Sequence, residues 1–498
     1  MLIVSDANNR EGSAIGLDAL EARLQQDLDW LELPAKEWMP VTEIAGATVL
    51  DVAIIGAGQA GMAAAVALRH LGIRAVVFDQ SSEGFEGPWA TTARMETLRS
   101  PKKLTGPALG FAALTFRAWF EAQFGLTAWE ALDKIPRLQW MDYLRWYRRV
   151  LQLEVRNEHC LQALLPRADG VVQLTLHSPA GVTQVLARRV VLATGRDGLG
   201  GALLPEIAQH LPRACWAHSS DAMDYATLAG KRIGVIGAGS SSMDSAATAL
   251  EAGAASVDLL IRRQELPRIN KGKGSGSPGL TNGHLHLPDA WKWRIRHYVN
   301  VQQTPPPSGS VRRVSAFSNV RFIFGAPIDS IAVGADGLQV STPRGVFGYD
   351  FLIFSTGFQV DWSLRPEFAA MAPHIRTWRD RYTPPAGEED EELADCPDVG
   401  NAFEFQQKQP DAMPGLERVH CFCYPAVLSH GTLSGDIPAI SDGAQRLAQG
   451  IAALFYHEDI EQHYRNIQAY AEPELVGDEW TPSEPSAAER AALHRIVK

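Results

Sequence analysis

Short apolar runs that end at glycine-rich turns recur along this 498-residue chain. The first run, residues 52–55, precedes a glycine turn, an alanine-rich segment that ends at Gly72, and a second apolar run at residues 76–78. The same order starts again at Ile233. Apolar runs of this length predict buried parallel strands, and the alanine-rich segments predict helices between them. The pattern therefore predicts an α/β fold with two strand–turn–helix–strand units.

The first glycine turn has the spacing of a dinucleotide-binding fingerprint and reads Gly56-Ala57-Gly58-Gln59-Ala60-Gly61. Its first glycine permits the tight turn, its second lets backbone N–H groups approach a pyrophosphate, and its third lets helix and strand pack closely. Asp79 ends the next strand, where a carboxylate can accept hydrogen bonds from both ribose hydroxyls. This unit is predicted to bind FAD.

The second glycine turn reads Gly237-Ala238-Gly239-Ser240-Ser241-Ser242, with a small serine in place of the third glycine. Its following strand ends in Arg262 and Arg263 rather than in an acid. A guanidinium can pair with the 2′-phosphate of NADPH through its planar set of donors. The second unit is therefore predicted to bind NADPH, and two solvated arginines remain the alternative.

The order of these motifs predicts an NADPH domain inserted into an FAD domain, both Rossmann-like, with a partly helical extension. Gly435-Asp436, just before a C-terminal helix, is predicted to hold the ribityl chain of FAD. Residues 111–165 are expected to be mainly helical. The predicted divisions are an N-terminal extension (1–48), the first part of the FAD domain (49–200), the NADPH domain (201–350), and the second part of the FAD domain with C-terminal helices (351–498).

Composition narrows the possible functions. The net charge is 46 minus 57, or −11, which argues against binding to nucleic acid. No apolar run approaches the ~20 residues that a membrane helix needs, and the N-terminus lacks signal-peptide features, so a cytoplasmic protein without membrane contact is expected. None of the five cysteines forms a Cys-x-x-Cys pair, which argues against a disulfide reductase. The sequence predicts no metal site.

The combined motifs resemble those of the class B flavoprotein monooxygenases, which comprise the flavin-containing and Baeyer–Villiger monooxygenases. The resemblance covers roughly residues 50–450 and implies that Trp89 lines the flavin, although a core tryptophan is the alternative. Its motifs are the two glycine turns, Gly87-Pro88-Trp89, Ala193-Thr194-Gly195 and Ser355-Thr356-Gly357-Phe358. The implied cofactor contacts outside the glycine turns are Pro88, Trp89, Ser100, Gly195, Thr356, Gly357 and Asp436.

Two departures from the family pattern affect the catalytic candidates. Of the family signature Phe-x-Gly-x-x-x-His, this chain keeps only His218, which the resemblance implies couples the domain positions; an ordinary packed histidine is the alternative. The flavin-side asparagine of the family is not evident, and Arg99 is in the nearest stretch. Arg99, His218 and Asn270 are the catalytic candidates, with Lys102 and Lys271 as further donors.

The resemblance implies an enzyme in which NADPH reduces FAD and reduced flavin captures O2 as a C4a-(hydro)peroxyflavin. One oxygen atom then enters a small organic substrate. An FAD-dependent NADPH dehydrogenase or oxidase without substrate oxygenation is the alternative function, and a binding or sensor protein without turnover is a third. The expected partners are the substrate and O2, with a homodimer left open.

Overall fold

The structure is a computed structural model that describes residues 16–274 and 276–496. By its internal contacts the chain divides into two compact parts, one that ends at Ala453 and one that starts at Leu454. No helix within the described ranges is long and apolar enough to cross a membrane.

Residues 16–192 contain the strands and helices that surround the first glycine turn. The alanine-rich segment after the first glycine turn is helical, as predicted. In chain order these elements are α1 (Leu17–Trp30), β1 (Glu43–Ile44), β2 (Ala47–Thr48), β3 (Leu50–Ile55), α2 (Gln59–His70), β4 (Ala75–Phe78), α3 (Phe116–Ala131), α4 (Arg137–Val150), β5 (Val155–Arg156), β6 (Cys160–Pro166), β7 (Val172–Ser178) and β8 (Gly181–Leu192).

The middle of the chain contains the second glycine turn and a helical insertion after its second strand. Its elements are β9 (Gly200–Ala202), β10 (Trp216–His218), β11 (Arg232–Ile236), α5 (Ser240–Glu251), β12 (Ser256–Ile261), α6 (Lys271–Gly274), α7 (Pro278–Gly283), α8 (Asp289–Gln302), α9 (Ser308–Ser315), β13 (Val320–Phe324), β14 (Ser330–Gly334), β15 (Gly337–Thr342), β16 (Gly345–Tyr349) and β17 (Phe351–Phe354).

The remainder returns to the first sheet and ends in helices. Its elements are β18 (Phe358–Val360), α10 (Trp378–Arg381), α11 (Glu391–Ala394), β19 (Val419–Cys421), α12 (Val427–His430), α13 (Ile440–Glu458), α14 (Ile460–Ala469) and α15 (Ala487–Ile496).

The first sheet has a parallel core in the order β5-β4-β3-β8-β19, and β8 continues into an antiparallel ribbon with β7 and β6. The second sheet is parallel throughout, in the order β10-β17-β11-β12-β13. The strand β19 returns to the first sheet after the second sheet is complete. The second strand–turn–helix–strand unit is therefore inserted into the first one. The predicted α/β fold with an inserted second unit is confirmed.

Two expectations need correction. Residues 111–165 are helical only as far as Val150, because β5 pairs with β4 and β6 pairs with β7 beyond that point. The boundary at residue 350 comes one strand too early, since β17 pairs in parallel with both β10 and β11 and so belongs to the second sheet.

Candidate active site

The first glycine turn joins β3 to α2 and leaves space where a pyrophosphate would lie. A Cβ on Gly61 would lie 1.8 Å from the carbonyl oxygen of Gly56, so helix and turn meet too closely for any side chain there. Gly56 has a φ of +103°, which favours glycine. At Gly58 a Cβ would meet nothing within 4 Å, and no side chain caps the helix that starts there. The first N–H groups of α2 therefore remain available to an anion.

The polar groups around this turn also fit a dinucleotide. The Asp79 carboxylate, 8% exposed, accepts hydrogen bonds from the backbone N–H of Ala57 at 2.6 Å and of Ser81 at 2.7 Å. It therefore faces the glycine turn, as predicted for a ribose ligand. Gln59 Oε1 is buried without a hydrogen-bond partner in the described chain, which is an acceptor that a bound cofactor could use.

The Gly87-Pro88-Trp89 motif lies beside the same turn. A Cβ on Gly87 would be 3.9 Å from the Cα of Gly58 and equally far from Cδ1 of Trp89. Trp89 is only partly buried, and Arg137 donates to its backbone carbonyl at 2.5 Å. Trp89 therefore lies beside the glycine turn, and its contact with the flavin stays a prediction.

The second glycine turn joins β11 to α5 and tolerates a serine as its third small residue. Ser242 is fully buried, its Oγ has no hydrogen-bond partner in the described ranges, and that Oγ would lie 2.7 Å from a Cβ on Gly237. Gly239 has open space around its Cα, and Ser240 and Ser241 start a helix that no side chain caps. The turn thus keeps the shape that a pyrophosphate requires.

The two arginines after β12 differ in their surroundings. Arg262 is exposed, whereas Arg263 is partly buried and donates to the carbonyl of Val301 at 3.2 Å. Val301 belongs to α8 in the insertion. Arg262 is therefore the freer of the two to reach a phosphate beside the turn.

The chain crosses between the two sheets twice, and the crossings pair with each other. β9 and β18 run antiparallel, and the Leu203 N–H donates to the Gly357 carbonyl at 2.9 Å. The Thr356 hydroxyl donates to the carbonyl of Leu203. Gly195, with a φ of +87°, turns the chain out of the first sheet. Thr-Gly motifs therefore mark both ends of this two-stranded connection.

His218 lies at the end of β10, against the second crossing. It is 2% exposed, its ring meets Phe358 edge-on at 5.6 Å, and its Nδ1 lies 2.7 Å from the Ser220 hydroxyl. Burial lowers the pKa of His218 below its ordinary value, which keeps the imidazole neutral. The location suits a residue that couples the two crossings.

A group of basic side chains surrounds the Gly435-Asp436 motif. The protein that surrounds the Asp436 carboxyl raises its pKa by desolvation, and this effect is opposed first by Arg296, then by Thr432, Arg196 and Arg99. Arg99, a sequence candidate, thus lies in the electrostatic field of Asp436, and it also donates to the Pro305 carbonyl at 2.6 Å. Ser100 follows it on the same loop.

Tyr424 connects two of these arginines. Its backbone N–H donates to the carbonyl of Gly195 at 3.3 Å, and its ring would lie 3.1 Å from a Cβ on Gly435. Arg296 donates to its hydroxyl, and the guanidinium of Arg196 lies 4.2 Å from the centre of its ring. Glu392 belongs to the same group, because Arg196 and Arg296 act to lower its pKa, while burial raises it.

Sequence reasoning missed Arg196, Arg296, Tyr424 and Glu392. Arg196 directly follows the Ala-Thr-Gly turn, and that position was a usable signal. Arg296 had none, because it comes from the insertion between β12 and β13.

The helical segment between β12 and β13, called the insertion here, packs against the C-terminal part of the first unit. The Trp293 indole donates to the Glu388 carbonyl at 2.7 Å, and Arg381 forms an ion pair with Asp289 at 2.8 Å. Arg381 also pairs with the fully buried Asp398 at 2.6 Å. Asn270, the remaining catalytic candidate, precedes the short helix α6, which packs on α8. The insertion therefore brings α8, with Arg296, to the Asp436 end of the first unit.

Comparison with known proteins shows which family the chain belongs to. The chain is 38% identical over 476 residues to an FAD-dependent urate hydroxylase of Xanthomonas campestris, across 95% of this chain and 100% of the relative. The chain belongs to the flavoprotein monooxygenases. A family described as L-lysine 6-monooxygenase/L-ornithine 5-monooxygenase matches residues 114–274, and an FAD-binding domain family matches residues 49–108.

Solved structures share the fold at low sequence identity. The ornithine hydroxylase of Pseudomonas aeruginosa has a TM-score of 0.62 at 15% identity, with coverage of 81% of this chain and 98% of that one. The ornithine N-hydroxylase of Kutzneria sp. 744, solved with reduced FAD, NADP⁺ and ornithine, has a TM-score of 0.61 at 17% identity, with coverage of 81% and 99%. These structures show the fold. Membership in the flavoprotein monooxygenases confirms the predicted function, an FAD- and NADPH-dependent enzyme that uses O2 to oxygenate a small molecule.

Proposed function

We propose that the monooxygenase hydroxylates urate. The observation that carries the proposal is the 38% identity to a urate hydroxylase over that relative's whole length. Urate is an anion at neutral pH, and three arginines, Arg99, Arg196 and Arg296, act on the carboxyl group of Asp436. Guanidinium groups of this kind could donate charge-assisted hydrogen bonds to an anionic substrate.

The residues of this chain would hold the cofactors as follows. The N-terminus of α2 receives the FAD pyrophosphate, Asp79 holds the ribose, Trp89 borders the flavin, and Asp436 holds the ribityl chain. The N-terminus of α5 receives the NADPH pyrophosphate. When bound, FAD accepts hydride from NADPH and supplies the oxygen chemistry, with one oxygen atom entering the substrate and the other leaving as water.

The remaining candidates would position groups rather than exchange protons. His218, buried and neutral, links the second sheet to the crossing at Phe358 and so would couple the two nucleotide sites. Arg99 would approach the flavin from the loop at residues 97–102. The role of Asn270 stays a prediction. The five free cysteines and the use of NADPH favour the reducing cytoplasm as the location of the protein. A homodimer stays a prediction, which measurement of the molecular mass in solution would test.

Turnover of urate by the FAD-loaded enzyme tests the proposal. We expect urate to accelerate NADPH oxidation, with NADPH, O2 and urate consumed in equal amounts and little hydrogen peroxide released. L-Ornithine and L-lysine are the matched comparison substrates, because the family match at residues 114–274 names both. Acceleration by an amino acid instead of urate would contradict the proposal. NADPH consumption that yields peroxide at the same rate with and without urate would favour the oxidase alternative.

Loss of the arginines after β12 should change nucleotide preference. We expect the double variant Arg262→Ala/Arg263→Ala to raise the KM for NADPH about tenfold or more, because a charge-assisted pair with the 2′-phosphate is lost. The KM for NADH, which has no such phosphate, should change little. Steady-state kinetics with both nucleotides check this, and Arg263→Ala alone is the control for disturbance of the contact with Val301. Equal increases for both nucleotides would rule out a 2′-phosphate contact.

A further inference from the structure

Arg196, Tyr424 and Arg296 form a preorganised group, called the arginine clamp below. The guanidinium of Arg196 stacks over the Tyr424 ring at 4.2 Å and lies 5.8 Å from the ring of Phe358. Arg296 donates to the Tyr424 hydroxyl, and its guanidinium lies 5.6 Å from the centre of the same ring. Stacking and the hydrogen bond thus orient both cations before any ligand arrives.

The clamp arginines interact with Glu392 and Asp436 through longer-range electrostatics and not through a contact ion pair. Within the described ranges, neither Arg196 nor Arg296 forms an ion pair with a carboxylate within 4.0 Å. In addition, the Nε of Arg296 is buried without a hydrogen-bond partner in the described chain. Two like charges beside one aromatic ring repel each other, and an anion between them would remove that repulsion.

The clamp belongs to the flavin end of the molecule. Arg196 directly follows Gly195, and the Tyr424 ring contacts Gly435, the neighbour of Asp436. The turn predicted for the NADPH pyrophosphate lies elsewhere, at Gly237 and the N-terminus of α5. An anion at the clamp is therefore more consistent with the substrate than with a phosphate of the nicotinamide nucleotide.

We propose that the arginine clamp binds the anionic edge of the substrate, with Arg196 and Arg296 donating to oxygen or deprotonated nitrogen atoms of one planar heterocycle. The proposal rests on the proposed function, because it assigns residues to the recognition of urate. A guanidinium presents parallel N–H donors in one plane, which match adjacent acceptor atoms on a planar anion. Tyr424 acts as the positioning residue that holds the two guanidinium groups.

Equilibrium binding of urate to the oxidised, FAD-loaded enzyme tests the clamp without requiring turnover. We expect Arg196→Met and Arg296→Met each to raise the Kd for urate about tenfold or more, because each removes charge-assisted hydrogen bonds but keeps an unbranched chain. Arg196→Lys, which keeps the charge and loses the planar donors, should give an intermediate loss. The KM for NADPH should change less than about twofold.

Arg294→Met is the matched control, because Arg294 lies on the same helix with 53% of its side chain exposed. It should leave the Kd for urate unchanged. The FAD content and the Tm of each variant show whether it has folded. If a methionine variant does not fold, Arg196→Lys takes its place in the test.

The outcomes separate this proposal from the proposed function. An unchanged Kd for urate in the folded clamp variants overturns the clamp even if the wild type hydroxylates urate. A raised KM for NADPH with an unchanged Kd for urate assigns the clamp to the nucleotide instead. If the wild type binds urate without hydroxylating it and the variants bind it more weakly, the clamp stands and the proposed function fails. A wild type that does not bind urate at millimolar concentration overturns the clamp.

Discussion

We expect Gly61→Ala to yield a protein that does not retain FAD and that unfolds at a lower temperature than the wild type. The added Cβ would lie 1.8 Å from the Gly56 carbonyl oxygen and 3.4 Å from the Cβ of Ala193, so α2 must move away from β3. Overpacking in a close-packed site costs about 1–3 kcal/mol, and a backbone oxygen this close places the cost toward the upper end. Thermal unfolding of the apoprotein and the ratio of FAD to protein after purification measure the two effects.

Gly58→Ala, three residues earlier, is the matched control. Its Cβ would meet no protein atom within 4 Å, and the backbone φ of −64° is accessible to alanine. The apoprotein should therefore unfold at the wild-type temperature, while FAD affinity falls because the new methyl group occupies the space of the pyrophosphate. Tight FAD binding by Gly58→Ala would contradict the location of the pyrophosphate at this turn.

Mild acid should destabilise the protein through two buried histidines. Burial lowers the pKa of His420 and of His430 to about 3, from an ordinary value of 6.5. His420 Nδ1 donates to the Ala402 carbonyl at 2.7 Å while Arg189 donates to its Nε2, and His430 Nε2 donates to the Gly400 carbonyl at 2.8 Å. Both rings are therefore neutral in the folded protein.

The sign of the effect follows from proton uptake on unfolding. Below pH 6.5 the unfolded chain binds a proton on each of these two histidines, and the folded protein does not. Their contribution to the free energy of unfolding is therefore fully present above pH 6.5 and declines as the pH falls toward the pKa values of the folded state. The two histidines should lower the free energy of unfolding by about 3 kcal/mol between pH 7.5 and 5.5. Urea unfolding at each pH measures the decline.

Substitution of one of the two histidines should remove the share of that residue, about 1.4 kcal/mol over the same pH range. His430→Gln can still donate to the Gly400 carbonyl, but its amide does not titrate. His286→Gln, at an exposed position, is the control and should retain the wild-type dependence. A decline of equal steepness in His430→Gln and the wild type would show that this imidazole is not the source.

Much of the fold was predictable because its signals are local. Each glycine turn is encoded within six residues, and the strands and helices next to it follow from the apolar pattern. The exceptions were segments whose structure depends on distant partners. Residues 155–166 become strands because β4 and β7 lie beside them, and Phe351–Phe354 joins the second sheet because β10 and β11 flank it.

In the candidate site, too, the residues with local sequence signals were predictable and those that depend on distant contacts were not. The structure locates two of the residues singled out from sequence: Asp79 accepts a hydrogen bond from the first turn, and the catalytic candidate Arg99 lies near Asp436. Their roles toward the cofactors stay predictions. The clamp residues and the neighbouring Glu392 did not emerge, because they come from four separate segments. Arg196 follows β8, Arg296 lies on α8, Glu392 on α11, and Tyr424 after β19.

The sequence by itself determined that the protein uses two dinucleotides and that the second strand–turn–helix–strand unit interrupts the first, while the assignment of FAD to the first unit and NADPH to the second stays a prediction. These properties depend on the backbone conformation of short turns and on one acid or arginine at the end of the following strand. Only the tertiary structure decided what surrounds Gly435-Asp436, because the helical segment between β12 and β13 folds back on the first unit and brings Arg296 to Tyr424. Such contacts between residues more than a hundred positions apart leave no periodic or spaced pattern in the chain.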